Sequence, residues 1–185
     1  MTNTELLKKA MTKTTSTTPT KSNFLSDKII TLLNYRINQE EESSRIYKSM
    51  SIWLDDKAYF NASKLWDKYS GEELKHADWA REHLLSFNIR PETQPIKEVP
   101  NDFSGLDDII RKTLEHETMI TNQCKDLAKA AQDEGDTLTY TLAHKYCAEQ
   151  VEEMKKAWDL VTLLEVYGTE KLALALLDHE LENYI

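Results

Sequence analysis

In Glu72-Glu73-Leu74-Lys75-His76, a carboxylate and an imidazole stand three residues apart at Glu73 and His76. On a helix this spacing points both side chains the same way and lets them grip one metal ion. Helical steps back from Glu73 reach Tyr69, Trp66 and Ala62, and steps forward reach Ala77, Ala80, Leu84 and Phe87. The pair therefore lies inside an apolar stripe and not on a wetted face. Burying an unpaired carboxylate is costly enough to demand a charged partner, a metal or a proton. What Glu73 meets across the core decides what the chain is for.

The rest of the sequence supplies three more stripes. Ser26-Asp27 opens a pattern through Ile29, Leu33, Ile37, Glu40, Ser44, Tyr47, Met50 and Leu54, and the pattern around Glu73 runs from about Tyr59 to Phe87. Gly105 precedes a third, through Leu106, Ile110, Leu114, Glu117, Thr121, Cys124, Ala128 and Ala131. Gly135 separates it from a fourth, through Thr139, Ala143, Tyr146, Gln150, Met154, Ala157, Val161 and Leu164. Gly168 closes that helix, and a shorter one is predicted from about Thr169 to Asn183. Four Gly and four Pro in 185 residues, with no alternation of strand type, mark an all-α protein.

Loop lengths then select the topology. The first-second and third-fourth turns are short, so each pair is antiparallel. Pro91, Pro95 and Pro100 keep the segment from Asn88 to Ser104 out of any helix. Its roughly 17 residues reach about 50 Å at ~3.3 Å each. A helix of about 28 residues is only about 42 Å long. The linker can cross the whole bundle and start the third helix from the far end. The alternative is a long surface loop with the helices running up-down-up-down; the length favours a four-helix bundle with a long crossover between helices two and three and a short fifth helix.

With helices at about 26–54, 59–87, 106–133 and 137–167, Glu40 and Glu73 fall at the midpoints of the first two. Glu117 lies near the centre of the third, and Gln150 and Glu153 bracket the centre of the fourth. Midpoints of helices packed side by side share one height, whichever way each helix runs. Glu40, Glu73, His76, Glu117, Gln150 and Glu153 are therefore expected in one layer of the core. Four carboxylates in a dry layer repel one another, and two divalent cations resolve this. A single Glu on an apolar stripe is usually a snorkelling boundary residue. Four independent stripes with the same anomaly at the same depth are a site.

The net charge of -9 argues against nucleic-acid or anionic-membrane partners and suits a protein that handles cations. The longest apolar run, Leu172 to Leu177, is far too short to span a bilayer. Cys124 and Cys147 are read as reduced core thiols, and a cytoplasmic protein is expected. Residues 1–23, rich in Thr and Lys, read as a flexible extension preceding a single domain over 24–185. Of the other histidines, His83 reads as a surface or supporting residue and His116 as turned away from Glu117, while His144 and His179 have no partner at ligand spacing.

These motifs together resemble the non-haem ferritins of bacterial type. Leu33-Asn34 through Tyr47 looks like their first helix, and Glu72-Glu73-Leu74-Lys75-His76 their second-helix motif. Glu115-His116-Glu117 and Glu149-Gln150-Val151-Glu152-Glu153 resemble the third and fourth, the latter with Gln150-x-x-Glu153 where bacterioferritins and rubrerythrins repeat Glu-x-x-His. The resemblance implies a first iron site of Glu40, Glu73 and His76. Glu73 would bridge to a second of Glu117 and Glu153, with Gln150 nearby and Tyr47 beside the centre. Glu72, Glu149 and Glu152 match acids of a possible third iron site. It also implies oxidation of Fe(II) by O2 or H2O2 with storage of ferric mineral in a closed 24-subunit shell, and no haem. Lys145 stands where bacterial ferritins often carry a Trp. Two rival readings share the fold: a rubrerythrin-like diiron oxidase or peroxidase that stores nothing, and a non-catalytic helical shell or interaction subunit. Asp133, Glu134 and Asp136 sit at the turn near which ferritin shells have three-fold pores.

Overall fold

A computed structural model describes residues 24–185, and these form α1 (Asp27–Asp56), α2 (Phe60–Ser86), α3 (Leu106–Asp133), α4 (Thr137–Tyr167) and α5 (Lys171–Glu180). A 3-10 turn follows at Leu181–Tyr184. The predicted extension, residues 1–23, lies outside the described residues. Helix boundaries depart from the sequence reading by three residues or fewer at each end, and local chemistry sets them. Ser26 caps α1, its hydroxyl accepting from the Ile29 N–H at 3.2 Å. Asp136 caps α4 by accepting from the N–H groups of Leu138 and Thr139 at 3.2 and 3.0 Å. Gly168, at φ 91°, ends α4 in a backbone conformation that side chains resist.

The crossover is present, and its course can be followed contact by contact. Phe24, just before α1, lies 5.8 Å from Phe87 at the end of α2. The linker then climbs along α1. The Glu92 N–H donates to Asn34 Oδ1 at 2.8 Å, Asn38 donates to the Pro95 carbonyl at 3.2 Å, and Ser49 donates to the Pro100 carbonyl at 2.5 Å. It ends with Phe103 edge-on to Trp53 near the top of α1. From there α3 runs antiparallel to α1, so that Tyr47 meets Glu117 and Arg36 meets Gln123. The fourth helix runs antiparallel to α2, with Glu72 beside Lys156 and His83 beside Thr139.

The core splits into two apolar halves. One surrounds Trp66 with Met50, Leu54, Leu65, Ile109 and Leu160. The other gathers Ile29, Leu33, Leu84, Ile120 and Ala143. Between them every long helix turns polar while remaining buried: Glu40 and Ser44 on α1, Ser70, Glu73 and His76 on α2, Glu117 on α3, Gln150 and Glu153 on α4. No helix among the described residues is long and apolar enough to cross a membrane.

The α4 cap is open to a direct test. Asp136→Ala removes the acceptor for two otherwise unpaired N–H groups and should lower stability by about 1 kcal/mol. Equilibrium urea unfolding at neutral pH measures this, with Asp136→Asn, which keeps an acceptor oxygen, expected to avoid most of the loss.

Candidate metal centre

The polar belt carries the site residues that the sequence places at mid-height. Glu40, Tyr47, Glu73, His76, Glu117, Gln150 and Glu153 are all buried. Two groups of ligand atoms lie close enough to share an ion. Glu40, Glu73 and His76 bring theirs within 4.8 Å of one another, and so do His76, Glu149 and Glu153. His76 belongs to both: its Nδ1 lies 3.4 Å from Glu73 Oε2 and its Nε2 3.8 Å from Glu149 Oε1. The imidazole thus faces an inner group on one side and an outer group on the other.

Glu117 falls in neither group, yet it adjoins both. The Tyr47 hydroxyl donates to its Oε1, and the Gln150 amide donates to its Oε2 at 3.4 Å. Thr121 holds Gln150 in that pose by donating to its Oε1 at 2.8 Å. Glu72 and Glu149 are half-buried at the rim, and Glu152 is exposed and outside both groups.

Several neighbours escape a reading of motifs. Arg36 is 2 % exposed, and its Nε lies 2.8 Å from Glu40 Oε1. Its Nη1 donates to Gln123 at 3.0 Å. The available signal is its place four residues before Glu40, the spacing of a helical ion pair. Lys156 donates to Glu153 Oε1 at 2.9 Å and to Glu72 Oε2 at 3.3 Å. Trp79 packs 4.8 Å from the His76 ring and 5.2 Å from Tyr146, and Lys145 places its ammonium 3.6 Å over the indole. Tyr146 donates to the His76 carbonyl at 2.6 Å.

The remaining candidates have structural partners. His116 contacts Ser43 Oγ at 2.8 Å and the Tyr47 ring edge, pointing away from Glu117. His83 bonds to Thr139 at 3.0 Å. His144 packs on Tyr140, and His179 is exposed beside Glu182. Asp133 pairs with Lys129, Glu134 accepts from Ser26, and Asp136 is the α4 cap. Both cysteines are free, Cys124 buried and Cys147 only half-buried.

Electrostatics follow from burial. Desolvation pushes the Glu40 carboxyl up to about 8, with Arg36 opposing and Glu73 adding to the rise. Glu73 is likewise raised to about 8, chiefly by burial and then by the charge of Glu117. Burial also raises Glu117 and Glu153, against the hydrogen bonds from Tyr47 and Lys156 respectively. Within the belt, Glu40 Oε2 is buried with no hydrogen-bond partner among the described residues. Hard carboxylate oxygens, one imidazole and an unpartnered buried oxygen suit divalent first-row cations such as Fe(II).

A crossover four-helix bundle with this carboxylate-histidine layer at mid-height has the build of the ferritin-like diiron-carboxylate proteins. Residues 30–166 match the ferritin-like domain family. The chain is 28 % identical over 159 residues to a bacterial non-heme ferritin of Escherichia coli O6:H1, covering 86 % of this chain and 96 % of that one. It is 29 % identical to a bacterial non-heme ferritin of Campylobacter jejuni, covering 86 % and 95 %. The open pore ferritin of the archaeon Archaeoglobus fulgidus superposes with a TM-score of 0.82 at 32 % identity, over 85 % of this chain and 97 % of that one. The chain belongs to the ferritin-like family and is an iron-storage ferritin subunit.

The raised carboxyls give the metal-free protein a pH signature. Folded Glu40 and Glu73 hold protons up to about pH 8, whereas the unfolded chain releases them near the ordinary value of 4.5. Their contribution to stability is therefore complete below about 4.5 and is lost as pH rises through about 8. Unfolding midpoints of the metal-free protein, measured against a Glu40→Gln/Glu73→Gln variant, should show the wild type losing stability relative to that variant between about pH 5 and about pH 8. Saturating Zn(II) should restore the wild type at the alkaline end, because the ion binds the deprotonated carboxylates.

Proposed function

We propose that the subunit is a ferroxidase whose centre lies within the single chain. The observation that carries this reading is the convergence of Glu40, Glu73 and His76 within 4.8 Å of one another, in the same buried belt as Glu117 and Glu153. Two Fe(II) ions are the substrate. Glu40, Glu73 and His76 bind one, Glu117 and Glu153 bind the other, and Glu73 bridges them. Support for the bridge comes from the neighbours of Glu73, which feels the charges of Glu117 and Glu153 and shares a hydrogen bond with Glu40.

Binding displaces the protons that burial keeps on these carboxyls. Anionic oxygen ligands favour Fe(III) over Fe(II). Two Fe(II) supply two electrons, and one O2 takes these with two protons to give H2O2. With H2O2 as the oxidant, the same two electrons and two protons give two waters. Tyr47 and Gln150 hold the Glu117 carboxylate in place from opposite oxygens. Having a single imidazole donor keeps the site labile enough to release Fe(III) towards a mineral store. The same reading makes the protein a cytoplasmic homo-oligomer forming a 24-subunit shell, without nucleic-acid or membrane partners.

Anaerobic loading with Fe(II) followed by air tests the reading. Wild type should develop a transient absorbance and then ferric product inside an assembly that elutes as a closed shell and not as a dimer. Orienting partners around a metal typically matter by about 10–100-fold, so Glu73→Ala should slow oxidation by more than about 100-fold and Tyr47→Phe by about 10-fold. Equal rates in Glu73→Ala and wild type would refute the diiron assignment.

A further inference from the structure

The outer group contains a cation that belongs to the protein. Glu153 is one of the three residues whose ligand atoms could hold an ion there, together with His76 and Glu149. Yet Glu153 Oε1 already accepts from the Lys156 ammonium at 2.9 Å, and the same ammonium reaches Glu72 Oε2 across the α2–α4 interface at 3.3 Å. The ammonium also lies 5.7 Å over the Tyr69 ring, so three groups from two helices hold it. Lys156 is three residues after Glu153, which turns it onto the same face of α4. Its neighbour Lys155 pairs outward with Asp159.

We propose that Lys156 is a tethered cation that occupies the outer carboxylate cluster of the metal centre and decides whether a metal ion can be held there. This rests on the diiron reading of the inner belt and extends it. A dication at the outer group needs Glu153, and it would sit beside a positive charge that shares that carboxylate. Like charges at such distances repel strongly where water is scarce. The Lys156 side chain is 38 % exposed, whereas Glu153 is 8 % exposed. The ammonium can swing on its four-carbon stem into water, but the carboxylate cannot follow it. The outer group therefore has two exclusive states, one with the ammonium in place and one with an ion. The presence of the lysine shifts this balance against a lasting third ion. Glu72, which has no place in either ligand group, has a function here as the second anchor for the ammonium.

The test is calorimetric titration of Zn(II), a redox-inert dication, into the assembled full-length protein stripped of iron at neutral pH. Wild type is expected to fill the site of Glu40, Glu73 and His76 and to bind weakly at the outer group, which needs Glu153. Lys156→Met and Lys156→Gln should each gain one further ion per chain, or bind the outer ion at least about ten-fold more tightly. Anomalous diffraction at the zinc edge should place that ion against Glu149 and Glu153. Lys156→Arg, which keeps the charge, should behave as wild type. If the two neutral variants match wild type in number and affinity of ions, or if Lys156→Arg gains the ion as they do, the inference is overturned. A wild type that binds no Zn(II) overturns the diiron reading instead, so the two failures are distinguishable.

Discussion

Everything in this bundle is arranged around the mutual repulsion of buried carboxylates. Glu40, Glu73, Glu117 and Glu153 come from four different helices, yet they meet in one belt between two apolar half-cores. Left ionised and unaccompanied, they would push the helices apart. The metal-free protein manages this in three ways. Protons remain on Glu40 and Glu73 up to about pH 8. Neutral donors from Tyr47 and Gln150 take the oxygens of Glu117. Arg36 and Lys156 supply positive charge at two points. None of these removes the instability altogether, and that residue of frustration is what gives the belt its appetite for cations. The apolar halves on either side supply the stability that lets the belt exist.

Much of this was legible in the sequence, and the reasons are specific. Glu40, Glu73, Glu117 and Glu153 each interrupt an otherwise apolar stripe near the middle of a long helix, which is a pattern that solvent exposure does not produce. The crossover was legible because three prolines remove a helix from a segment long enough to span the bundle, and Asn34, Asn38 and Ser49 hold that segment along α1. The cations were not legible. Arg36 looks like one more charged residue on an amphipathic helix, and only its packing between α1 and α3 makes it 2 % exposed. Lys155 and Lys156 are adjacent and chemically identical, but a turn of about 100° sends one to solvent and the other to the metal centre. Trp79 is a related case: the aromatic near His76 comes from α2, while position 145, which matches a common Trp of the resembled ferritins, carries a lysine that lies over its ring.

The two protein-borne cations differ in a way that matters for storage. Arg36 is buried, its guanidinium held between Glu40 and Gln123. It therefore places a fixed positive charge beside Glu40. Lys156 sits at the rim, half-exposed, on carboxylates that it can release. A fixed charge inside gives the inner belt a constant shape, and a movable one outside leaves the rim open to exchange. A storage protein must capture ions at the centre and then give them up. With its ammonium on Glu72 and Glu153, Lys156 lets the chain itself supply the positive charge that the outer cluster needs when no ion is there.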